Sequence, residues 1–311
     1  MLQVAILGSS GIVSQRLQEL LVNHPWFELC HICGSKPGTK ISEIPWRLES
    51  QRPELTIESV SEFSEIDADI AFSALPSSIA EVVEPELVSR GITVFSNAST
   101  FRKDVPLVIP EINPDDLRGF SGHACATNCT VIPVVMPLAA LKGLGISKVK
   151  VKTEQALSGG GWELVESGLK SKEIPGEAEK MVEEARLLLG LANLEIEVSC
   201  ERVARKDGHI VHVEVEFNSP ITEESVIERI SAFNGVGLPS SPEVVMQIAA
   251  PDAALHLWAG KGMTTTVGNI TIEGTTLQFS ALSHNTIRGA AGGVILLAEL
   301  AFSEGLLAPH R

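Results

Sequence analysis

Leu2–Leu7 is apolar at nearly every position, the pattern of a short parallel strand buried on both faces. Gly8-Ser9-Ser10-Gly11 follows at once. From Ile12 to Val22 the apolar residues Ile12, Leu17, Leu20 and Leu21 fall on helical spacing, with Gln15, Arg16, Gln18 and Glu19 between them. Phe27–Ile32 reads as a second strand and Asp69–Phe72 as a third, ending at Ser73-Ala74-Leu75-Pro76. A helix is predicted over Ser77–Ser89, with Ser77 or Ser78 as its N-cap and Gly91 ending it, and Ile92–Phe95 is the next strand. Strands alternating with helices predict an α/β fold, a Rossmann-like doubly wound parallel sheet whose ligands sit beyond the strand C-termini.

After Pro110 the period changes. Ser121–Cys129 is small and polar, and an apolar helix runs from Thr130 to Leu141. Val149, Val151 and Thr153 alternate with Lys148, Lys150 and Lys152; Val211, Val213, Val215 and Phe217 alternate with His212, Glu214 and Glu216. Thr264–Ile272 and Thr276–Leu282 read as further strands. One-sided alternation predicts a mostly antiparallel sheet with one wet or covered face, so the second part is α+β. A small-residue-rich helix over Thr286–Ser303 closes the pattern. The expected division is a nucleotide-binding domain over 1–128, completed by the C-terminal helix at 285–311, and a second domain over 129–284.

Composition narrows the function classes. The chain has 311 residues, 44% hydrophobic and 20% charged, enough for two cored domains and incompatible with wholesale disorder. A net charge of −15 argues against nucleic acid or an anionic membrane as partner, since both require basic patches. The longest apolar run, Val131–Leu141, is shorter than the ~18 residues of a membrane span and contains two prolines. The first residues carry no basic, cleavable leader pattern. Five scattered cysteines fit a reduced, cytoplasmic setting rather than a disulfide framework. Cys30-x-x-Cys33 resembles half a zinc site but has no second pair, so it is read as apolar packing at a strand end and no metal is expected.

The strand–glycine turn–helix at the start is an anion site. Gly8, Ser10 and Gly11 bring backbone N–H groups close to a pyrophosphate, and Ile12 and Val13 open the helix whose N-terminus carries partial positive charge. Where an NAD site usually places an acidic residue after the second strand, this chain has Gly34-Ser35-Lys36-Pro37-Gly38. A hydroxyl and a lysine suit a 2′-phosphate, which favours NADP. Cys129, in Ala126-Thr127-Asn128-Cys129-Thr130, lies at the start of a predicted helix, where the dipole favours thiolate. Gln155 ends a strand and precedes Ser158-Gly159-Gly160-Gly161. Arg202 ends another, suited to gripping a carboxylate, and His209 begins the next, suited to proton exchange near neutral pH. Glu177 and Lys180 share one helix face. Taken singly, these are also a core cysteine, a flexible loop, a structural histidine and a surface ion pair.

Their order along one chain resembles the aspartate-β-semialdehyde dehydrogenase family, its archaeal and fungal branch in particular, over essentially the whole length. Gly8–Val13 is similar to the family's dinucleotide loop, Ser73-Ala74-Leu75-Pro76-Ser77 to its Ser-Ala-Leu-Pro segment and Asn97–Arg102 to its phosphate-binding stretch. Asn128-Cys129-Thr130 resembles the nucleophile motif, and Glu154–Gly159, Glu177-x-x-Lys180 and Arg202 with His209 resemble the substrate segments. Asn285-x-x-Arg288-Gly289-Ala290-Ala291-Gly292 is similar to the segment that closes on the nicotinamide. Ser10, Ser14, Ala126-Thr127 and Ala204 depart from the usual threonine, glycine, Asn-Pro and proline.

The resemblance implies an NADP-dependent enzyme that forms a thioester on Cys129 from 4-phospho-L-aspartate. It assigns His209 to take and return the thiol proton and Gln155 to orient the substrate. Arg202 would clamp the α-carboxylate, Glu177 the α-ammonium, and Lys180 and Arg102 the phosphate, with Asn128 beside them. Cofactor contacts would come from Gly8, Ser10, Gly11, Ile12, Val13, Ser35, Lys36, Ser73, Ala74, Leu75, Pro76, Ser158, Gly159 and Asn285. It further implies that 129–284 carries catalysis and dimerisation, in a homodimer or homotetramer. Related acyl-phosphate and acyl-CoA reductases (N-acetyl-γ-glutamyl-phosphate or malonyl-CoA reductase) and a non-catalytic nucleotide-binding relative are the alternatives; a free-ammonium partner such as Glu177 favours the first reading.

Overall fold

The computed structural model describes residues 1–307; the last residues of the expected C-terminal helix segment, 308–311, lie outside the described residues. The first sheet is built from β1 (Leu2–Leu7), β2 (Phe27–Cys33), β3 (Ile70–Ser73), β4 (Thr93–Ser96) and β5 (His123–Cys125), with α1 (Ile12–Leu21) and α2 (Ser77–Ser89) as crossovers. Its order is β2-β1-β3-β4-β5 and every pair is parallel. The apolar run that opens the chain is therefore central, with Val4, Ala5, Ile6 and Leu7 wholly buried.

The remaining elements are α3 (Ile132–Leu141), β6 (Ile146–Gln155), α4 (Gly161–Ser167), α5 (Glu177–Leu189), β7 (Glu195–Arg202), β8 (His209–Phe217), α6 (Glu223–Ser231), β9 (Met246–Ile248), α7 (Ala253–His256), β10 (Thr265–Glu273), β11 (Thr276–Ser283) and α8 (Gly292–Ser303). The second sheet runs β7-β6-β8-β11-β10-β9. Its three central pairs are antiparallel and its two edge pairs, β6·β7 and β9·β10, are parallel. The alternation read from the sequence holds: Val149, Val151, Val211, Val213 and Val215 pack against α3, α5 and α6, while Lys150, Lys152 and His212 stand on the wet face. The chain then returns. Val294, Ile295, Leu297, Ala298 and Ala301 of α8 join Leu2, Val4, Ile6 and Phe27 in the core of the first sheet. Glu299, buried on α8, accepts from Ser240 and pairs with His24 at 2.7 Å.

Three local expectations change. Pro76, not a serine, stands at the N-cap of α2, and the Ser77 hydroxyl pairs with Ser99 instead. The helix expected from Thr130 begins at Ile132, with Pro133 in its first turn, where a missing N–H leaves no bond unmade. The helix expected over Thr286–Ser303 opens as a π-turn, Ile287–Ala291, before α8. Among the described residues no helix is long and apolar enough to cross a membrane, and no group of His, Cys, Asp and Glu is placed to hold a metal ion.

Candidate active site

A cleft of about 480 Å³ separates the two sheets. Cys129 lies in the turn before α3, and its Sγ is 3.3 Å from Nε2 of His209, the first residue of β8. The other ring nitrogen of His209, Nδ1, accepts the backbone N–H of Ala156 at 3.0 Å. A nitrogen that accepts cannot carry the proton, so the neutral ring is protonated on Nε2 and offers that proton to the sulfur. Burial, then the Arg202 and Arg205 charges, hold the His209 pKa well below the usual imidazole value, so the ring is neutral. In this tautomer Nε2 is the donor of the Cys129–His209 contact.

The cysteine departs from expectation. Burial, followed by the nearby Glu177 carboxylate, pushes the Cys129 thiol up to about 11. The Thr130 hydroxyl and the Arg102 and Arg202 cations pull the other way but are outweighed. The helix start does not by itself make a thiolate here. Cys125, on β5, is fully buried and, like Cys129, a free thiol.

The other substrate candidates surround this pair. Arg202 ends β7 and donates from Nη1 to the Ala156 carbonyl at 2.8 Å, which leaves its remaining donors for a ligand. Gln155 ends β6; its amide lies 3.4 Å from Glu177 Oε1 and 3.5 Å from Thr153 Oγ1. Glu177 opens α5 and takes the Asn128 side-chain amide at 2.9 Å. Lys180, one turn on, is exposed at the rim. Arg102 reaches the same cleft and is held by the Asn97 carbonyl and the Glu184 carboxylate, both at 2.9 Å. Gly159 lies so close that a Cβ there would be 3.0 Å from Arg202 Nη1 and 3.1 Å from the His209 ring. Gly289, in the π-turn, is tighter still: a Cβ would meet the Cys129 Cβ at 2.6 Å.

The cofactor candidates divide into two sets. Val13, Leu75, Pro76, Ser158, Gly159 and Asn285 line the cleft. Asn285 donates to the Ser158 hydroxyl at 2.8 Å and accepts the Gly208 N–H at 2.8 Å, which fastens the loop before β8. Gly8, Ser10 and Gly11 lie in the turn between β1 and α1 and Ile12 opens α1, all beyond the cleft's lining. Ser73 and Ala74 back that turn, Ser73 being buried with its hydroxyl unpartnered. Gly8 has φ +112°, with a neighbouring carbonyl, that of Ala74, only 3.3 Å from where a Cβ would stand. Ser14 closes the turn by donating to the Gly8 carbonyl. Ser35 and Lys36 are exposed just past β2, beside the turn, for Gly34 packs against Ser9.

This geometry coincides with known proteins. Residues 3–120 match the family model for the NAD-binding domain of semialdehyde dehydrogenases. An aspartate-semialdehyde dehydrogenase of Archaeoglobus fulgidus is 39% identical, with 98% of this chain and 99% of that one aligned. The chain belongs to the aspartate-semialdehyde dehydrogenase family. Among solved members, the Candida albicans enzyme crystallised with NADP superposes with a TM-score of 0.88 at 26% identity, over 98% of this chain and 99% of that one. A malonyl-CoA reductase (NADP) of Metallosphaera sedula is 30% identical over 98% of both chains.

Sequence reasoning missed four contributors to this family site. Glu184, seven residues after Glu177 on α5, bonds Arg102 and the nucleophile turn together. The Thr127 hydroxyl and Ala156 N–H act as donors, and Gly289 acts by contact. Thr127, Ala156 and Gly289 lay inside motifs already named, while Glu184 left only its place on the Glu177–Lys180 helical stripe.

Proposed function

We propose that this chain catalyses the reductive dephosphorylation of 4-phospho-L-aspartate to L-aspartate 4-semialdehyde, with NADPH as reductant, in the biosynthesis of lysine, threonine and methionine. The observation that carries the reading is the Cys129–His209 pair at 3.3 Å, with Cys129 facing a cleft that runs from Val13 of α1 and Leu75 to a group of opposed charges.

The Cys129 sulfur forms a bond to the acyl carbon, the carbon–oxygen bond to phosphate breaks, and the thiol proton ends on the departing phosphate. A thioester remains on Cys129. Sulfur suits this because it is both a good nucleophile and a good leaving group. His209 donates from Nε2 to the sulfur while it carries charge, then to the oxyanion that follows reduction. NADPH, when bound, supplies the hydride that converts the thioester to the aldehyde level. As that intermediate collapses, the sulfur leaves as thiolate and recovers a proton from solvent.

Arg202 grips the α-carboxylate with the donors that Ala156 does not occupy, and Glu177 receives the α-ammonium. Gln155 and Asn128 orient the acyl group, and Arg102 and Lys180 hold the phosphate. The glycine turn fits a dinucleotide. Gly8, at positive φ, turns the chain, and the uncapped start of α1 presents N–H groups that have no partner within the helix. Gly8, Ser10, Gly11, Ile12 and Val13 would hold the pyrophosphate and Ser35 with Lys36 the 2′-phosphate. Ser73, Ala74, Leu75, Pro76, Ser158, Gly159 and Asn285 would flank the cofactor's remaining length. In this reading residues 1–128 with 285–311 bind NADP, and 129–284 carry catalysis and, through the wet sheet face, the contact of a homodimer or homotetramer in the cytoplasm.

The test is NADP+ reduction with L-aspartate semialdehyde, with and without phosphate, and acid-quenched mass analysis in the forward direction. An aspartyl adduct on Cys129 is expected; turnover with no adduct, or no dependence on phosphate, overturns the reading. Malonyl-CoA belongs in the same assay because of the Metallosphaera relative. Glu177, which would serve a free ammonium that malonyl-CoA lacks, favours the amino-acid substrate.

A further inference from the structure

We propose that Glu184 is a positioning residue that holds the nucleophile turn and the anion-binding arginine with one carboxylate. The inference rests on the phosphate role of Arg102 proposed above and adds what makes Arg102 and Cys129 work in register.

Glu184 is buried, 7% exposed, on the inward stripe of α5. Its Oε1 accepts Arg102 Nη1 at 2.9 Å. Its Oε2 accepts two donors from the nucleophile turn, the Thr127 hydroxyl and the Asn128 N–H, each at 2.7 Å. These are the two residues that precede Cys129. Glu177, two turns earlier on the same helix, takes the Asn128 side chain at 2.9 Å, so Asn128 is fixed from α5 at both its backbone and its amide. Asn128 in turn receives the Thr130 N–H on its Oδ1 at 2.8 Å. The turn carrying the nucleophile is thereby bonded on both flanks of Cys129, and all of that bonding leads back to one helix.

Arg102 is the only cation that Glu184 pairs with among the described residues. With Nη1 on Glu184 and Nη2 on the Asn97 carbonyl, the guanidinium plane is set before any ligand arrives. A bidentate grip on phosphate needs that plane preset, since a swinging arginine loses rotamer freedom on binding. One carboxylate thus fixes the distance between the leaving phosphate and the attacking sulfur.

Two substitutions separate the two halves of this role. In Glu184→Gln the amide oxygen still accepts from Thr127 and Asn128, but the NH2 faces Arg102 and releases it. The Michaelis constant for phosphate in the oxidative direction is expected to rise about tenfold, the scale of one charged hydrogen bond, with kcat within roughly threefold of the parent. In Thr127→Val the nucleophile turn loses a bond while Arg102 keeps its own. There kcat is expected to fall, by up to the ~10²-fold that misplacement of a reacting group brings, with the phosphate constant unchanged. Thermal midpoint and the constant for NADP+ monitor folding in both.

The proposal is overturned if Glu184→Gln leaves the phosphate constant unchanged, or if both variants lose kcat and phosphate affinity in the same proportion, as a merely structural carboxylate would produce. Arg102→Ala tells the two readings apart. If it leaves the phosphate constant unchanged, the phosphate role itself is wrong. If it raises that constant and Glu184→Gln does not, only the positioning role falls.

Discussion

Two turns in this molecule each lead into a helix, and the protein treats them in opposite ways. Residues 8–11 lead into α1 and residues 127–131 into α3; neither helix has a side-chain cap or an acidic residue in its first turn. At the first turn the side-chain bonds are donations to carbonyls: Trp162 and Gln15 to Ser10, Gln18 to Ser9 and Ser14 to Gly8. Among the described residues no carboxylate is bonded to residues 8–13. The Gly8 N–H is taken by the Cys33 carbonyl at 2.8 Å, and in the proposed reading the N–H groups at the start of α1 and the helix dipole are left for an incoming anion. At the second turn the anion is built in, because Glu184 takes the Asn128 N–H and Glu177 stands beside it. In the proposed reading the same local pattern is a ligand site in one place and a rigid mount in the other. The difference lies in which charges the rest of the fold brings to it.

Removing the mounted atom gives the largest effect. Cys129→Ala should lower turnover by at least ~10⁴-fold while NADPH binding persists, because only the nucleophilic route is lost. A variant with normal turnover would break the comparison at its root. Next comes the state of the sulfur. With the thiol pushed up to about 11, alkylation of the empty enzyme by iodoacetamide should climb about tenfold per pH unit from neutral pH to about pH 10, roughly 10³-fold in all. A plateau already at pH 8 would mean that the α3 dipole outweighs burial and Glu177. A pair of glycine substitutions then sharpens the contrast. Gly289→Ala drives a methyl into Cys129, 2.6 Å from its Cβ, and should reduce kcat by ~10²-fold. Gly8→Ala strains a left-handed turn and should raise the Michaelis constant for NADPH by about tenfold with kcat little changed. Steady-state kinetics of the two variants decide this; interchange of the two signatures would reverse the roles of the turns.

The ligand turn was legible in the sequence and the mount was only half so. Leu2–Leu7, Gly8 and the helix from Ile12 lie within two dozen residues, and period, glycine and helix spacing are all local signals. The alternation of Val149, Val151 and Thr153 with lysines is local too, so the second sheet could be read strand by strand. The order of motifs supplied Cys129, His209, Arg202 and Glu177 through resemblance, and the fold brings them to one cleft. What the sequence could not show is that the Ala156 N–H meets the far side of the His209 ring, 53 residues away, and so dictates which nitrogen holds the proton. Nor could it show that Glu184 is shared, since the bonds span 82 residues to Arg102 and 56 to Asn128. Even the sign of the Cys129 shift follows from burial, a property of the whole fold.

The smallest effect concerns stability, and it is carried by two buried histidines of the catalytic half. His209 and His284, at the start of β8 and just past β11, are both pushed down by burial, His284 to about 3 with Arg16 adding to the effect. His284 is 1% exposed, edge-on to Trp258, and its Nε2 has no partner. Above about pH 6.5 neither the folded nor the unfolded chain protonates this ring. Below it the unfolded chain binds a proton that the folded state refuses until about pH 3, so stability falls as pH falls. Between pH 7 and pH 5 His284 alone should remove about 2 kcal/mol, before most carboxylates begin to titrate. Thermal unfolding over that range should therefore show a midpoint that drops by several degrees, and His284→Gln should flatten the curve while leaving the share due to His209 in place. An unchanged slope in that variant would mean that the His284 ring takes up its proton inside the fold, and that burial there does not make the catalytic half acid-sensitive.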